Sequence, residues 1–267
     1  MRTQALIYHD IVDGDPDQSG FAGAGPARYK LSTERFRAHL DAIGDALNDE
    51  PGVVDDLLAG DSDKATWLLT FDDGGASALA IGEELARRQW RGHFFITTSR
   101  TGEPGFLTAS EIIELGRMGH VIGSHSASHP SRMSSLSEDA LREEWRASVG
   151  SLADLLGREI RSASVPGGYY TKRVARAAAK AEIAALFTSE PVRTPQRVGE
   201  CLVVGRLSVR AGTSAVDASR IAAGDPWPWR REWVSWNIRR SAKAVLGKRY
   251  DRLRGVVLSH RFDLQGD

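Results

Sequence analysis

Cysteine, excess charge and long apolar runs are scarce in this sequence, and each scarcity excludes a class of protein. Cys201 is the single cysteine among 267 residues, so no intrachain disulfide can form and nothing in the sequence indicates an oxidising compartment. The 35 basic and 35 acidic residues cancel, which argues against a nucleic-acid binder held by phosphate contacts. No uninterrupted apolar stretch is long enough to form a membrane-spanning helix.

The first residues enter a strand-like segment, with no charged region and long apolar run before it. We therefore expect no Sec-type signal peptide and a cytoplasmic location. The apolar fraction of 41% permits a sizeable core, and the length suits one α/β domain of barrel size.

Strand-like and helix-like segments alternate along the chain, which predicts a parallel sheet covered by helices. The predicted strands cover residues 4–8, 66–71, 92–97, 121–124, 162–165, 184–188 and 202–209. The predicted helices cover residues 33–47, 77–89, 109–118, 138–156, 172–181 and 215–223. Residues 13–28, rich in Gly and Asp, are predicted to form a long loop of the kind that often serves as a functional lid.

Two adjacent carboxylates, Asp72 and Asp73, follow a predicted buried strand and precede Gly74 and Gly75. Catalytic residues gather at such carboxyl ends of strands, and successive side chains there point to different sides. One Asp can therefore bind a metal while its neighbour faces a substrate. A polar turn is the simpler alternative for Asp-Asp-Gly taken alone.

A histidine pair strengthens the metal interpretation. His125 and His129 are four residues apart and follow another strand-like run, a spacing typical of metal ligands. Asp73, His125 and His129 would supply the three protein ligands of a catalytic zinc site. The alternative for the pair is a polar loop before Pro130. For His39, His93 and His120 we expect ordinary hydrogen-bonded structural roles.

These motifs resemble those of the polysaccharide deacetylase family, the carbohydrate esterases with a NodB-like domain. Thr70 to Gly74 match the family's Thr-Phe-Asp-Asp-Gly motif, and His125 to His129 match its histidine motif. The resemblance implies a distorted, incomplete (β/α) barrel of about seven parallel strands. It also implies that Asp72 is the general base and that one divalent metal ion is bound. Zn²⁺ is the expected ion, with Co²⁺, Ni²⁺ or Mn²⁺ as alternatives.

The family's third motif, Arg-x-Pro-x-Gly, is only partly kept. Ser164 occupies the place of the arginine that helps to orient the base Asp, and Arg161, Arg193 or Arg206 could replace it in space. Pro166, Gly167 and Tyr170 are candidate substrate-binding residues. Backbone N–H groups near Gly168 and Tyr169 could face an oxyanion. An ordinary tight turn is the structural alternative.

The family also uses a histidine as general acid. His9 ends the first predicted strand and matches a circularly permuted variant, similar to deacetylases of poly-β-1,6-N-acetylglucosamine export and biofilm systems. His260 fits the Leu-x-His pattern near the C-terminus literally. We favour His9 for its position at the carboxyl end of a strand and its Tyr-His pattern. Residues 250–258 read more like the end of a basic helix than a core strand, with a strand over 256–258 as the alternative.

The resemblance implies a hydrolase that removes N-acetyl groups from an N-acetylated sugar or polysaccharide, releasing acetate and a free amine. A small-molecule amidase or formamidase on the same fold is an alternative. A non-catalytic glycan-binding relative is another, although binding alone needs no general base.

The C-terminal region differs from the rest in being rich in tryptophan and arginine. Its aromatic and basic residues are Trp227, Trp229, Trp233, Trp236, Arg239, Arg240, Lys243, Lys248, Arg249, Arg252 and Arg254. We expect residues 226–267 to form a helical extension packed on a NodB-like domain of residues 1–225. Peripheral contact with anionic lipid and stacking on sugar rings are alternative roles.

Overall fold

The computed structural model describes residues 2–60 and 66–246. Eight strands lie within these stretches: β1 (Thr3–Tyr8), β2 (Thr66–Phe71), β3 (His93–Ile96), β4 (Val121–Ser124), β5 (Ser162–Ser164), β6 (Ala185–Thr188), β7 (Gln196–Val198) and β8 (Cys201–Ser208). The helices are α1 (Ala24–Ala27), α2 (Thr33–Ala46), α3 (Val54–Ala59), α4 (Ala78–Arg87), α5 (Ala109–Arg117), α6 (Glu138–Leu156), α7 (Lys172–Lys180), α8 (Ala215–Ala222) and α9 (Pro226–Leu246).

Seven parallel strands form a closed barrel. Their order is β1-β2-β3-β4-β5-β6-β8, and β8 pairs with β1 to close the ring. β7 adds to β8 as a short antiparallel strand on the outside of the ring. Helices α4, α5, α6 and α7 lie between successive barrel strands, as a βα alternation requires.

The barrel strands are buried on both faces, so their sequences are nearly continuous apolar runs. Side chains alternate between the two faces. Leu6, Tyr8, Leu69 and Phe71 belong to the cluster that packs against the surrounding helices. The opposite face fills the barrel with a second cluster that includes Ala5, Leu68, Phe95, Phe187 and Val204.

Local capping explains where two of the surface helices begin and end. α5 starts with the capping box expected from its sequence, in which Thr108 and Glu111 each bond the other's backbone N–H. The Ser137 hydroxyl accepts from Ala140 N at the start of α6, and Gly157 ends that helix with a left-handed φ of 64°.

All seven predicted barrel strands and the six predicted helices are present, within one or two residues of their expected ends. The barrel is complete in its hydrogen bonding, whereas an incomplete one was expected. β1 pairs over six residues with β2 and over three with β8, so no strand edge stays open between them. The seam is thinnest between β4 and β5, where a single residue pair, Ser124 and Ala163, is in register.

Residues 13–28 are more structured than a plain loop. They contain a 3₁₀ turn at Pro16–Gln18 and the short helix α1. The Lys30 ammonium is buried beneath the segment and donates to the carbonyls of Pro16, Ser19 and Phe21 at 2.6–2.7 Å. These bonds fix the segment against the carboxyl end of the barrel.

Helix α9 packs on the barrel through one of its tryptophans. Trp229 is buried in the cluster that also contains Ile221 of α8, and its indole N–H donates to the carbonyl of Ile221. A second contact is the ion pair between Glu232 of α9 and Arg210, which follows β8, at 2.7 Å. No helix in the described ranges is long and apolar enough to cross a membrane.

Candidate active site

Six polar side chains come together at the carboxyl end of the barrel. Asp72 and Asp73 directly follow β2, His125 follows β4, Ser164 ends β5, Arg206 lies near the end of β8, and His9 follows β1. The carboxyl ends of parallel strands share one face of the barrel, so these residues meet although they are far apart in sequence.

Asp73, His125 and His129 form a compact set of metal-ligand type. Asp73 Oδ1 lies 3.2 Å from His125 Nε2 and 3.5 Å from His129 Nε2. One ligand atom from each of the three residues falls within 4.8 Å of the other two. The structure thus brings together the three residues that the sequence predicted as metal ligands.

The tautomer of His125 favours a cation between these groups. Its Nδ1 lies 3.1 Å from the carbonyl of Ser164, which can only accept, so Nδ1 carries the proton. The lone pair of Nε2 then faces the carboxylate of Asp73. Two acceptors face each other stably when a cation lies between them, and a backbone carbonyl that orients the imidazole is typical of metal-ligating histidines.

The backbone around the ligands is held in an unusual conformation. Asp73, Ser126 and His129 have positive φ angles of 79°, 65° and 54°. Such angles are uncommon for residues other than glycine and cluster at functional sites. The Ser126 hydroxyl accepts from His129 N, and Ser124 Oγ accepts from Ser126 N, which stabilises the turn that presents both histidines.

Burial and neighbouring groups act in opposite directions on Asp73. Burial disfavours its charged form, but in the ion-free site protonated His125 and His129 can donate to it, and these hydrogen bonds together with the charge of His9 outweigh the effect of burial. The pKa of Asp73 therefore lies well below its usual value, and the group stays ionised.

Asp72 is held in a different way from its neighbour. Its two carboxylate oxygens accept from the two terminal nitrogens of Arg206, Oδ1 from Nη1 at 2.7 Å and Oδ2 from Nη2 at 2.8 Å. The Ser164 hydroxyl donates to Oδ2 at 3.0 Å. Burial raises the pKa of Asp72, but Arg206 and His125 lower it by more, so this carboxylate is also ionised.

Arg206 itself is almost completely buried and satisfied. Its Nε donates to the carbonyl of Thr188, and its Nη1 also donates to Thr70 Oγ1 at 2.9 Å. Of the three arginines considered from sequence, this one reaches Asp72. Arg161 instead lies near Asp55 at the surface, and Arg193 lies over the ring of Trp229.

His9 lines the same cleft as the ligand set. β1 and β2 are adjacent, with Tyr8 paired to Phe71, so His9 lies beside the strand that carries Asp72. Its ring packs on Tyr29 at a centroid distance of 4.9 Å. Within the described residues, the buried Nδ1 of His9 has no hydrogen-bond partner. His260, the other candidate acid, lies outside the described residues.

The turn after β5 forms one wall of the cleft. Gly167 and Gly168 have φ angles of 62° and 70°, and a Cβ at Gly168 would lie 2.3 Å from Ser189 Oγ. Both glycines and Tyr169 line the cleft. Pro166 is buried, and Tyr170 packs against the apolar cluster behind the turn. Neither of these two predicted substrate-binding residues is among the residues that line the cleft.

Residues 13–28 and their flanks form the opposite wall; the sequence predicted a long loop here but not the side chains that face the site. The Phe21 ring lies 4.5 Å from the ring of His129, and Tyr29 covers His9. The whole cleft encloses about 540 Å³. It is lined by Ile7, His9, Phe21, Ala22, Gly25, Pro26, Tyr29, Asp72, Asp73, His125, His129, Ser131, Val165, Gly167, Gly168, Tyr169, Ser189, Arg206 and Ser208.

Asp10 supports this wall and was missed from sequence. Its carboxylate accepts from the hydroxyls of Ser19 and Ser77 at 2.6 and 2.9 Å, which joins the loop to the start of α4. Burial raises the pKa of Asp10, and the negative charge of Asp73 raises it further. The hydrogen bonds from Ser19 and Ser77 lower it in part. An acidic residue directly after His9 was the available signal.

Comparison with known families agrees with the geometry. The model of the polysaccharide deacetylase family matches residues 59–186. This segment contains Asp72, Asp73, His125, His129 and the turn after β5, but it excludes His9 and Arg206. No curated protein sequence matches the chain.

Several solved structures share the fold at low identity. The deacetylase PplD of Streptococcus pyogenes, in complex with acetate, has a TM-score of 0.70 and 18% identity over 83% of this chain and 98% of its own. IcaB from Ammonifex degensii has a TM-score of 0.64 and 22% identity, over 82% of this chain and 97% of its own. The de-N-acetylase from Aggregatibacter actinomycetemcomitans has a TM-score of 0.65 and 19% identity, over 83% of this chain and 100% of its own.

Proposed function

We propose that this chain, whose residues 59–186 match the polysaccharide deacetylase family, is a metal-dependent hydrolase that removes N-acetyl groups from an N-acetylated sugar or polysaccharide. The products are acetate and a free amine. The observation that carries the proposal is that two adjacent carboxylates have different partners in the same cleft. Asp73 faces two histidines, while Asp72 is held by Arg206 and Ser164.

Asp73, His125 and His129 would hold one divalent ion, and their nitrogen and carboxylate donors suit Zn²⁺, with Co²⁺, Ni²⁺ or Mn²⁺ as alternatives. When bound, such an ion acidifies water and polarises a carbonyl oxygen. The three donors already face one another, and His125 is oriented by the carbonyl of Ser164.

The remaining residues then have separate tasks in amide hydrolysis. Asp72 takes a proton from the attacking water, because it is an ionised acceptor that needs no movement. His9, on the opposite side of the cleft from the turn after β5, gives a proton to the nitrogen of the leaving amine. Backbone N–H groups near Gly168 and Tyr169 face the oxygen that becomes negatively charged. We also propose that the chain has the permuted order, with the acid on the first strand.

The substrate class rests on the similar structures and on the shape of the site. Two of them are described as a deacetylase and a de-N-acetylase, and one of these holds acetate. The cleft is open and lined by Phe21, Tyr29 and Tyr169, whose rings can stack on sugar faces. Aromatic and polar walls of this kind suit a glycan better than a compact small-molecule amide.

Acetate release tests this function directly. The enzyme is stripped of metal, reloaded with Zn²⁺, Co²⁺, Ni²⁺ or Mn²⁺, and given N-acetylglucosamine oligomers of increasing length, acetamide and formamide. We expect metal-dependent release that rises with oligomer length. Release from the small amides alone would indicate an amidase or formamidase. Saturable oligomer binding without release, in metal-loaded protein, would indicate a glycan-binding relative.

We further propose that helix α9 contacts an anionic membrane surface, where a lipid-linked or nascent glycan would be found. Trp227, Val234 and Ile238 share one face of the helix and are 66%, 50% and 64% exposed. Arg230 and Arg231 beside them are exposed, while Glu232 is paired with Arg210. An apolar strip flanked by cations is complementary to anionic lipid.

Co-sedimentation with vesicles tests this contact. We expect binding to vesicles of phosphatidylserine and phosphatidylcholine that weakens with salt, and weaker binding to phosphatidylcholine alone. The W227S/I238S variant should lose it. V216S, which removes an equally exposed apolar residue from α8, should not. Equal sedimentation of W227S/I238S and wild type would contradict the proposal, and sedimentation without vesicles would point to self-association.

A further inference from the structure

We propose that Arg206 on β8 is the positioning residue for Asp72, in the place of the arginine that the third motif lacks, and that Ser164 completes this clamp. The inference rests on the proposed function, in which Asp72 accepts a proton from water. Arg206 lies outside the segment matched by the family model, so the match itself does not assign it this role.

The clamp fixes both oxygens of Asp72. Arg206 binds the carboxylate with two parallel N–H···O contacts of 2.7 and 2.8 Å, and its Nη2 also donates to Ser164 Oγ at 2.6 Å. Ser164 Oγ, which accepts from Arg206, in turn donates to Asp72 Oδ2 and so links the guanidinium to the carboxylate a third time. A bidentate guanidinium sets the plane of a carboxylate as well as its charge, which the point charge of a lysine cannot do.

The guanidinium is itself held from three sides. Thr188 O and Thr70 Oγ1 accept from it, and it lies 5.5 and 5.8 Å from the ring centroids of Phe95 and Phe187. The contacts come from β2, β3 and β6, which are rigid elements of the barrel. A base fixed on such a support loses little orientation between turnovers, and a misplacement of about 1 Å at a catalytic group can cost roughly 10²-fold in rate.

The small residue at position 164 is part of the same arrangement. Ser164 is fully buried, and its hydroxyl touches both Arg206 and Asp72. An arginine at this position would occupy the space of the Arg206 guanidinium and repel it. The serine and the arginine on β8 are therefore complementary, and the departure from the family motif moves the orienting cation to another strand.

A purely structural ion pair would not need this location. Buried ion pairs add little net stability compared with apolar side chains of similar volume. Arg206 and Asp72 instead line the cleft, next to the ligand set. The pair lies at the reaction cleft. The hydrogen bonds around it either fix the carboxylate of Asp72 or hold the guanidinium of Arg206. This arrangement favours a role in positioning.

Steady-state kinetics of R206K and R206A test the proposal with the metal-loaded enzyme. We expect R206A to lower kcat roughly 10²-fold with little change in KM, and R206K to lower it less, because charge is kept but the planar fork is lost. Metal content and circular dichroism should stay unchanged in both. R193K is the matched control: Arg193 also lies over an aromatic ring but faces another surface.

Chemical rescue separates positioning from folding. Guanidinium chloride at low millimolar concentration should restore part of the kcat of R206A, whereas urea, which has the same shape without the charge, should not. In a D72N background, R206A should cost nothing further, since Arg206 acts through Asp72. If R206A does not fold, R206K and S164A provide the same comparison.

The outcomes are distinguishable from failure of the proposed function. Wild-type kcat in R206A or R206K, or an equal cost of R206A in the D72N and wild-type backgrounds, overturns the role of Arg206 while the deacetylase assignment stands. Wild-type kcat in S164A removes Ser164 from the clamp. A fully active D72N enzyme overturns the assignment of the base itself.

Discussion

The two adjacent aspartates show how neighbouring groups of the same type acquire different chemistry. Asp73 points to His125 and His129, and its positive φ turns it away from the direction of Asp72. Asp72 is neutralised by Arg206 instead. Each carboxylate has its own cationic or hydrogen-bonding partners, so both stay ionised side by side in a buried site.

Substitutions of these aspartates should separate metal binding from proton transfer. We expect D72N to lose most turnover, by roughly 10²–10⁴-fold, while it keeps its metal, because an amide cannot accept the proton. D73A should lose both activity and metal. Acetate release and elemental analysis of the same preparations measure the two effects. Full activity of D72N with an authentic substrate would show that another group is the base.

His9 and His260 should differ in the same assays. We expect H9A to lower kcat by roughly 10²-fold or more with metal content unchanged, because the leaving amine loses its proton donor. H260A should keep wild-type kinetics. The opposite pattern, an essential His260 and a dispensable His9, would place the acid at the C-terminal end and reject the permuted order.

Three other histidines are structural, as expected from sequence, and each has both ring nitrogens in use. His93 donates to Leu69 O and accepts from Val54 N, His39 contacts Thr213 O and Tyr8 Oη, and His120 contacts Gly82 O and Gly92 N. A carbonyl on one side and a donor on the other fix the neutral form of each ring. Burial lowers the pKa of all three, that of His93 to about 4.

The buried His93 should make stability depend on pH. Its folded pKa of about 4 lies below the unfolded value of about 6.5, so the unfolded state binds more protons between these values. Stability is thus fully present above pH 6.5 and is lost as the pH falls towards 4, by up to about 3 kcal/mol. Urea unfolding of wild type and H93Q across this range measures it. A wild-type stability that falls no faster than that of H93Q would contradict this account.

At the scale of elements, the segment of residues 13–28 is a fixed wall of the cleft. Lys30 binds three of its carbonyls, Asp10 binds Ser19, and Gly20 N donates to Gly105 O at 2.7 Å. These contacts join it to the neighbouring loop that follows β3. The sequence indicated a lid of this length, but the side chains that hold it come from outside the segment and carry no local pattern.

Removal of the Lys30 ammonium should loosen this wall. We expect K30M to destabilise the protein by about 1–3 kcal/mol, because three buried carbonyls lose a charged donor. KM for oligomers should rise more than kcat falls, since Phe21 would no longer be held against His129. Thermal unfolding and kinetics measure both effects. K30R, which keeps a cation, is the control, and an unchanged KM in K30M would show that the wall does not contact substrate.

The elements that sequence could predict are those with a strong local pattern. Apolar runs followed by Asp-Asp or His predicted both the strands and the residues at their ends, because the carboxyl ends of parallel strands converge. β7 was not predicted, since two of its three residues are exposed and its pattern is weak. Arg206 was one of three candidates, because nothing local distinguishes an arginine that points into the barrel.

At the scale of the molecule, closure of the barrel determines the site. β8 lies between β6 and β1, and this position brings Arg206 to Asp72 across 134 residues of sequence. The thin seam between β4 and β5 lies beside the ligand set. There the bond from His125 Nδ1 to the Ser164 carbonyl joins the two strand ends. A bound ion would thus connect the end of β2, which carries Asp73, to the end of β4, which carries His125. Through the bond from His125 to Ser164, it would also reinforce the thin contact between β4 and β5.

Metal should therefore stabilise the whole fold. A ligand that binds only the folded state, at 100 times its Kd, adds about 2.7 kcal/mol to stability. For a domain of this size, we expect a rise in Tm of roughly 5–10 °C on addition of Zn²⁺ to metal-free protein, because each kcal/mol shifts Tm by about 2–4 °C. Differential scanning calorimetry at fixed pH, with and without chelator, measures the shift.

The variants of the two aspartates test where that stabilisation originates. D73A should show little or no shift with Zn²⁺, since one of three ligands is lost. D72N should keep the wild-type shift, because Asp72 is bound by Arg206 and not directed to the ion. The ion then stabilises the barrel through the strand ends that carry Asp73, His125 and His129. A Zn²⁺ shift that survives in D73A, or one that disappears in D72N, would show that the ion is held by a different set of residues.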